Sequence, residues 1–213
     1  MVKAALFDLD GTLIDCFEGI HDALTQTMNA LGFEPHAFAV TKRMVGHGLE
    51  QLLARAMSAD VVAEAVPIFR ARYAEIAVSS AKPLPFALDL LRKLHSENVQ
   101  IGIASNKPSY FSRQIIDGLG WAPFINAIKG PDLVSAPKPD PAMIHALLQE
   151  FGVAATDAFY VGDMTVDLDT ARAANIEIIL VATGSLTAEE LRAAGAERVL
   201  PNLESLLGRT QAH

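Results

Sequence analysis

The sequence predicts an α/β fold in which a parallel β-sheet is covered by helices on both faces. Short apolar runs alternate with stretches of helical periodicity along most of the 213-residue chain. Strands of a parallel sheet are buried on both faces, so they read as unbroken apolar runs. Apolar residues make up 51% of the chain, which at this length is enough to bury one sizeable core.

Five apolar runs are predicted to be the strands of this sheet. They cover residues 2–7, 99–104, 158–161 and 177–181, with a weaker run at 127–129. An acid, a serine or a glycine follows several of these runs. Ligands of open α/β sheets bind beyond the carboxyl ends of the strands. The residues directly after each run are therefore the first candidates for a functional site.

The alternation stops between residues 16 and 81, where only helical periodicity is present. Glycines and prolines divide this stretch into several helices: Gly32, Pro35, Gly46, Gly48 and Pro67. We interpret residues 16–81 as an inserted helical cap domain, and residues 1–15 and 82–213 as the α/β core domain. Residues 82–85, Lys-Pro-Leu-Pro, read as a stiff return link because proline fixes φ.

Two helices of the core have clear signals. Helical periodicity resumes over residues 86–96. Near the end of the chain, Thr187 and Glu190 have the spacing of a capping box, and Gly195 is a typical stop signal. We therefore predict a helix that begins after Thr187 and runs to residue 194.

Composition excludes several classes of partner. The formal net charge of −8 provides no field that attracts nucleic acid or anionic lipid. No window approaches the ~18 apolar residues of a membrane-spanning helix. Cys16 is the only cysteine, and Asp8 comes too early for the apolar region of a signal peptide. We therefore expect a cytoplasmic protein with no nucleic-acid and no membrane partner.

Two aspartates follow the first predicted strand directly. Asp8 and Asp10 lie at the strand end, where the chain begins to turn at Gly11. Two carboxylates this close repel each other unless a cation or a proton relieves the repulsion. The pattern therefore indicates metal binding and proton transfer together, whereas an isolated Asp-Leu-Asp-Gly would read as an acidic turn.

Ser105 and Asn106 follow the second strong run. The sequence Ser-Asn-Lys-Pro is also an ordinary helix start, with Ser or Asn as the cap and Pro108 in the first turn. The two interpretations are compatible because a helix N-terminus is itself a phosphate site.

Lys138 stands among three prolines in Ala-Pro-Lys-Pro-Asp-Pro, which hold its backbone stiffly before a helix. Its ammonium is a compact charge with three donors. Considered alone, it would be a solvated surface lysine.

Asp163 and Asp167 follow the next strand in Val-Gly-Asp-Met-Thr-Val-Asp. Their spacing of four places them about one helical turn apart if a helix has begun. Capping of that helix is the alternative role for this pair.

Taken together, these four pieces resemble the haloacid dehalogenase superfamily of phosphohydrolases over nearly the whole chain. The resemblance implies a Rossmann-like parallel-sheet core with an inserted helical cap. It also implies a Mg²⁺-dependent phosphatase that hydrolyses a small phosphomonoester through an aspartyl-phosphate intermediate.

The resemblance assigns roles to the acids. Asp8 would be the nucleophile, and Asp10 would protonate the leaving group and then activate water. The Mg²⁺ ligands would be the Asp8 carboxylate, the backbone carbonyl of Asp10 and Asp163. Asp167 would orient Lys138 or a metal-bound water from outside the ligand set.

The same resemblance assigns the phosphate contacts. Ser105 would donate a hydrogen bond to a phosphoryl oxygen, with Asn106 beside it in the substrate-binding set. Lys138 would offset the charge of the nucleophile and of the transferring phosphoryl group.

Two observations narrow the class of enzyme within the superfamily. Dehalogenases of this superfamily lack the second acid of the Asp-Leu-Asp-Gly motif at residues 8–11, so the presence of Asp10 argues against a dehalogenase. Mutases similar to β-phosphoglucomutase carry a histidine early in the cap, but Ile20 holds that position here and His21 follows it, a helical step of roughly 100°. Hydrolysis is therefore favoured, with a sugar-phosphate mutase and a non-catalytic phospho-ligand binding protein as alternatives.

The cap loop over residues 42–48 resembles the Val-Gly-x-Gly stretch in the helical cap of phosphoglycolate phosphatases. Arg43 and His47 in this loop could meet a carboxylate or hydroxyl of the substrate. The alternative is a plain connection between helices with solvated side chains. The expected substrate is phosphoglycolate-like or a sugar phosphate.

Overall fold

The structure, a computed structural model, describes residues 2–208 and contains eight strands in that part of the chain. In chain order they are β1 (Ala4–Phe7), β2 (Ile14–Asp15), β3 (Lys82–Pro83), β4 (Gln100–Ala104), β5 (Ala127–Lys129), β6 (Ala158–Gly162), β7 (Glu177–Val181) and β8 (Val199–Leu200). Six of them form one parallel sheet in the order β5-β4-β1-β6-β7-β8.

Ten α-helices connect and cover these strands within residues 2–208. They are α1 (Phe17–Ala30), α2 (Phe38–Met44), α3 (Leu49–Ala56), α4 (Val62–Ile76), α5 (Ala87–Ser96), α6 (Ser109–Gly118), α7 (Ala142–Phe151), α8 (Thr165–Ala174), α9 (Ala188–Ala193) and α10 (Glu204–Leu207). None of these helices is both long enough and apolar enough to cross a bilayer.

The central strand β1 shows why the sheet needs a helical layer on each side. Successive side chains of a strand point to opposite faces. Phe7 accordingly packs into the apolar cluster that includes helices α5 and α6, whereas Leu6 packs into a second cluster with α7 and α8. Both side chains are fully buried. The predicted α/β fold is confirmed.

The predicted strand limits are close to those observed. β5 and β7 have the predicted limits, and β6 extends one residue further, to Gly162. β1 begins at Ala4 instead of residue 2, and β4 begins at Gln100 instead of residue 99. β8 was not predicted because a two-residue strand leaves no readable periodicity.

The segment predicted as a stiff return link contains a short strand. β3 pairs antiparallel with β2, so that Ile14 lies opposite Pro83 and Asp15 lies opposite Lys82. Helices α1 to α4 lie between these two strands in the chain. One continuous apolar cluster joins α1 and α3 to β1 and β4. The division into a core and a cap domain therefore stays a prediction.

The two predicted core helices are present. Helix α5 begins at Ala87, one residue after the predicted start, because Phe86 adopts a left-handed conformation with φ of 67°. Helix α9 begins after the capping box: the Glu190 N–H donates to Thr187 Oγ1 at 3.2 Å, and the Thr187 N–H donates to Glu190 Oε2 at 2.8 Å. It ends at Ala193, one residue before the predicted end.

Candidate active site

The carboxyl ends of the three central strands bring the predicted site residues together. Asp8 follows β1, Ser105 follows β4 and Asp163 follows β6. Because β1 pairs with both β4 and β6 in parallel, these three ends meet at one edge of the sheet. The carboxylates of Asp8, Asp163 and Asp167 contribute oxygens that all lie within 4.8 Å of one another.

Lys138 lies at the centre of this group. Its Nζ is 2.6 Å from Asp167 Oδ1 and 3.1 Å from Asp8 Oδ1, and it donates to the Tyr160 hydroxyl at 3.0 Å. The lysine side chain is 1% exposed, so these contacts replace its water shell. The structure thus brings Lys138 and Asp8 together, as the predicted charge-offsetting role requires.

The carboxylate of Asp167 is saturated by hydrogen bonds. Oδ1 accepts from the Tyr160 hydroxyl at 2.7 Å in addition to Lys138. Oδ2 accepts from the backbone N–H groups of Asp163 and Met164 at 3.2 and 3.0 Å. These contacts suit the predicted orienting role of Asp167. Tyr160 was not predicted because it lies inside β6, where an aromatic residue reads as core.

Burial dominates the electrostatics of the acids. It raises the pKa of Asp8 to about 6, with Lys138 opposing this shift and Asp167 and Asp10 adding to it. Burial, reinforced by Asp167 and Asp8, also holds the pKa of Asp163 well above its usual range. Crowded and buried carboxylates of this kind are stabilised by a cation placed among them.

Two carboxylate oxygens fit a metal ion. Asp8 Oδ1 and Asp163 Oδ2 are buried, and no hydrogen bond from the residues the structure describes reaches either atom. Asp8 Oδ1 does have an ion-pair partner, Lys138 Nζ, at 3.1 Å. The other oxygen of Asp163 accepts from Thr12 Oγ1 at 3.0 Å. Hard carboxylate oxygens left open in this way are the ligands that Mg²⁺ prefers.

Glycines make room for the Asp163 carboxylate. A Cβ on Gly11 or on Gly184 would collide with Asp163 Oδ2. Gly11 also has a φ of 84°, a left-handed conformation that favours glycine. The turn after Asp10 therefore requires a glycine for two independent reasons.

The carboxyl of Asp10 faces away from the other acids. Its Oδ2 is 2.8 Å from Lys107 Nζ, and its Oδ1 accepts from the Cys16 thiol at 2.8 Å. Neither Lys107 nor Cys16 was predicted as a site residue. The position of Lys107 next to Ser105 and Asn106 could have indicated that it belongs to the site. It was not predicted because a lysine in a helix-start sequence normally lies in solvent.

Asn106 connects three loops instead of facing open space. Its Nδ2 donates to the backbone carbonyls of Gly46 at 3.1 Å and Lys138 at 3.2 Å, and its Oδ1 accepts the Lys138 N–H at 2.8 Å. The side-chain amide is therefore committed to the backbone. Ser105 and Asn106 both line the cavity with Asp8, and Ser105 Oγ accepts a long 3.4 Å contact from the Lys107 N–H.

Arg43 and His47 make contacts elsewhere. The Arg43 guanidinium pairs with Glu190 at 2.7 Å and donates to the Ser185 carbonyl at 3.2 Å. His47 Nδ1 lies 3.3 Å from Arg55 Nη1. Neither residue lines the cavity at the site. Their predicted contact with a substrate stays a prediction.

A cavity of about 70 Å³ lies over the strand ends. Its floor includes Asp8, Asp10 and Ser105, and its wall is largely apolar: Phe17, Ile20, Leu49, Leu52 and Phe69. This volume holds only about five water molecules. The site therefore suits a small ligand.

This fold and site define a class of protein. Aspartates and a serine at adjacent strand ends, with a buried lysine beside them, are the arrangement expected of a phosphoric monoester hydrolase. Comparison with known proteins agrees, because residues 5–181 match the family described as haloacid dehalogenase-like hydrolase. The chain belongs to this family.

Individual relatives span nearly the whole chain. It is 37% identical to a phosphoglycolate phosphatase of Rhodospirillum rubrum, over 97% of this chain and 90% of that protein. It is 34% identical to a phosphoglycolate phosphatase of Cereibacter sphaeroides, over 86% of each. A solved haloacid dehalogenase-like hydrolase from Streptococcus pneumoniae superposes with a TM-score of 0.89 at 29% identity, over 99% of both chains.

Proposed function

We propose that the protein is a Mg²⁺-dependent phosphatase that hydrolyses a small, phosphoglycolate-like phosphomonoester through an aspartyl-phosphate. The observation that carries this proposal is the buried Asp8 carboxylate, which has Lys138 Nζ 3.1 Å from Oδ1 and Asp163 beside it. The two phosphoglycolate phosphatases described above support the choice of substrate class.

Asp8, Asp163 and the backbone carbonyl of Asp10 would hold the Mg²⁺ ion. When bound, the ion supplies charge neutralisation for the phosphoryl oxygens. Lys138 adds a fixed positive charge at Asp8, and Ser105 offers a hydroxyl donor from the neighbouring strand end. Phosphoryl transfer needs this positioning and charge balance more than it needs covalent assistance.

Two steps then follow from the acids. The Asp8 carboxylate attacks phosphorus, the ester P–O bond breaks, and the carboxyl of Asp10 gives its proton to the leaving oxygen. Asp10 next takes a proton from water, and that water attacks the aspartyl-phosphate. Inorganic phosphate leaves and the Asp8 carboxylate is restored.

The cap region supports hydrolysis over the mutase alternative. Ile20 lines the cavity, whereas His21 Nδ1 lies 3.0 Å from Thr41 Oγ1 and its ring packs edge-on against Phe38. The histidine is thus held away from the cavity. A mutase would need a base beside the substrate hydroxyl that receives the phosphate.

We further propose that residues 16–81 act as a cap that selects the substrate. The residues proposed to hold the metal and the phosphate, Asp8, Ser105, Lys138 and Asp163, contact only groups that every phosphomonoester shares. The apolar wall of the cavity comes mainly from α1, α3 and α4, so these helices contact the rest of the substrate.

A phosphate-release screen tests the proposal. Purified protein is assayed with phosphoglycolate, sugar phosphates, nucleotides and pyrophosphate, in Mg²⁺ and in excess chelator. We expect phosphate release from phosphoglycolate that requires Mg²⁺. Binding of phosphomonoesters without turnover would favour a non-catalytic role, and isomerised product without free phosphate would favour a mutase.

A further inference from the structure

Lys107 is buried, although it belongs to the helix-start sequence Ser-Asn-Lys-Pro, in which a lysine normally lies in solvent. It is the one basic residue among those of the described chain, 2–208, that line the cavity. Its side chain is 6% exposed, and Nζ lies 2.8 Å from Asp10 Oδ2 and 2.8 Å from the Tyr73 hydroxyl. The third donor direction meets only Cys16 Sγ, 4.0 Å away.

Tyr73 supplies a second donor at the same end of the cavity. It comes from α4, where its ring stacks on Phe69 and meets Phe111 edge-on, with centroids 5.7 and 5.0 Å apart. Its hydroxyl oxygen accepts from Lys107, which leaves the hydroxyl proton free to be donated. Burial raises the pKa of Tyr73, so the phenol stays neutral and keeps that proton.

Lys107 keeps its charge in this environment. Burial alone would lower the pKa of its ammonium, but Asp10, Cys16 and Tyr73 more than offset this effect and hold the pKa well above its usual range. A charged ammonium and a neutral phenol, both buried, form a binding site for one small anion.

The position of this pair matches a short substrate. The leaving oxygen must come within about 3 Å of the Asp10 carboxyl to receive a proton. Lys107 Nζ is 2.8 Å from that carboxyl. An anionic group only one carbon from the leaving oxygen therefore falls within reach of Lys107.

We propose that Lys107 and Tyr73 recognise a carboxylate carried by the substrate next to its phosphate ester. The substrate carboxylate takes over the Lys107 contact that Asp10 holds in this structure, and Asp10 turns to the leaving oxygen. This inference rests on the proposed function and names the part of its substrate that the chain selects. It assigns to Lys107 the task that the sequence had suggested for Arg43 or His47.

The test compares two substrates that differ only in charge. Phosphoglycolate and 2-phosphoglycolamide are assayed with the wild type, Lys107→Met and Tyr73→Phe, and the ratio of the two kcat/KM values is measured. We expect a wild-type preference for the carboxylate that falls about 10- to 100-fold in Lys107→Met and severalfold in Tyr73→Phe.

A matched control shows whether the change in substrate preference follows from the loss of any lysine–glutamate or lysine–aspartate ion pair. Lys93 on α5 is 22% exposed and pairs with Glu97, the residue that follows this helix, away from the cavity. Lys93→Met should leave the substrate ratio unchanged. Circular dichroism checks that each variant folds, and Tyr73→Phe, which removes only a hydroxyl, keeps the test open if Lys107→Met does not fold.

Parallel losses on both substrates in Lys107→Met and Tyr73→Phe would overturn the proposal, because Lys107 would then only position Asp10. A binding experiment does not depend on turnover. Calorimetry in the presence of Mg²⁺ compares the affinity of the protein for 3-phosphonopropionate with its affinity for the corresponding amide. If the wild type releases no phosphate, the proposed function fails, yet a preference for the carboxylate that Lys107→Met abolishes still supports the inference. Equal affinity for the two compounds overturns it.

Discussion

Two buried lysines of this site, Lys138 and Lys107, differ in what holds them. Each lies beside an aspartate of the first motif, Asp8 and Asp10 respectively. The partners of Lys138 come from the end of β1, from β6 and from helix α8, whereas Lys107 depends on Tyr73 of helix α4. The comparison teaches that the charge proposed for phosphoryl transfer is assembled from the sheet and helix α8. The charge proposed for recognition is completed only where a cap helix lies over it.

The largest effect is expected from the nucleophile. Asp8→Asn should lower the rate of phosphate release by about a thousandfold or more, because an amide does not attack phosphorus and removes a charge next to Lys138. The measurement is steady-state phosphate release at saturating Mg²⁺. Asp169→Asn, an exposed aspartate on α8, is the control. Substantial turnover by Asp8→Asn would assign the covalent step to another group.

The next effect concerns the lysine that the sheet holds. Lys138→Met should lower kcat by about a hundredfold, since one preorganised charge is lost. It should also destabilise the fold by roughly 3–5 kcal/mol, because Asp8 and Asp167 remain buried without their counter-charge. Urea unfolding gives the free energy of unfolding, and phosphate release gives kcat. Unchanged stability would mean that water reaches these carboxylates.

Metal binding should depend on Asp163. Mg²⁺ should raise the melting temperature of the wild type, because the ion binds the folded state and relieves crowded carboxylates. Asp163→Asn should raise the Mg²⁺ concentration needed for half of this shift by about tenfold or more. A thermal melt at a series of Mg²⁺ concentrations measures it without any turnover. An identical Mg²⁺ response of the variant would place the ion elsewhere.

The smallest effect is expected at the contact between α2 and α9. Arg43→Ala removes an exposed ion pair with Glu190, so kcat/KM should fall by less than about fivefold, and equally for charged and uncharged substrates. A selective loss on phosphoglycolate would instead restore Arg43 as the residue that reads the carboxylate.

The pKa of Glu190 determines how the ion pair between Arg43 and Glu190 depends on pH. The hydrogen bond from Arg43, with those from Thr187, lowers the pKa of Glu190 to about 2. A depressed carboxyl pKa contributes stability above the unfolded pKa, and this contribution is lost only as the pH falls through the folded value. The ion pair is therefore fully formed between about pH 6 and pH 8. The effect of Arg43→Ala on kcat/KM should be the same across this range. A loss of the effect across this range would indicate that another group titrates at the contact.

The residues at strand ends were predictable because each follows a buried apolar run. The positions of Asp8, Ser105 and Asp163 followed from the rule that parallel strands end at one edge of the sheet, whereas their proposed roles came from the family resemblance. The limits of β5 and β7 followed from the same runs, and α9 followed from its capping box.

The other features depend on contacts that no local pattern encodes. Lys107 is separated by 34 residues from Tyr73, and the burial of one depends on how α4 packs over the other. Arg43 could not be placed because its partner, Glu190, is 147 residues away in the chain. The β2 and β3 strands have two residues each, too few for any period to show.

The pairing of β2 with β3 has a consequence for how this architecture can be altered. Ile14 and Pro83 lie side by side, so the helical segment leaves and re-enters the sheet domain through two adjacent strands. Closing a loop whose ends are already adjacent costs little extra entropy even when the loop is long. We therefore expect that residues 16–81, the predicted cap, can be exchanged for another helical module with neighbouring ends, so that the chemistry proposed for the core would serve a different specificity.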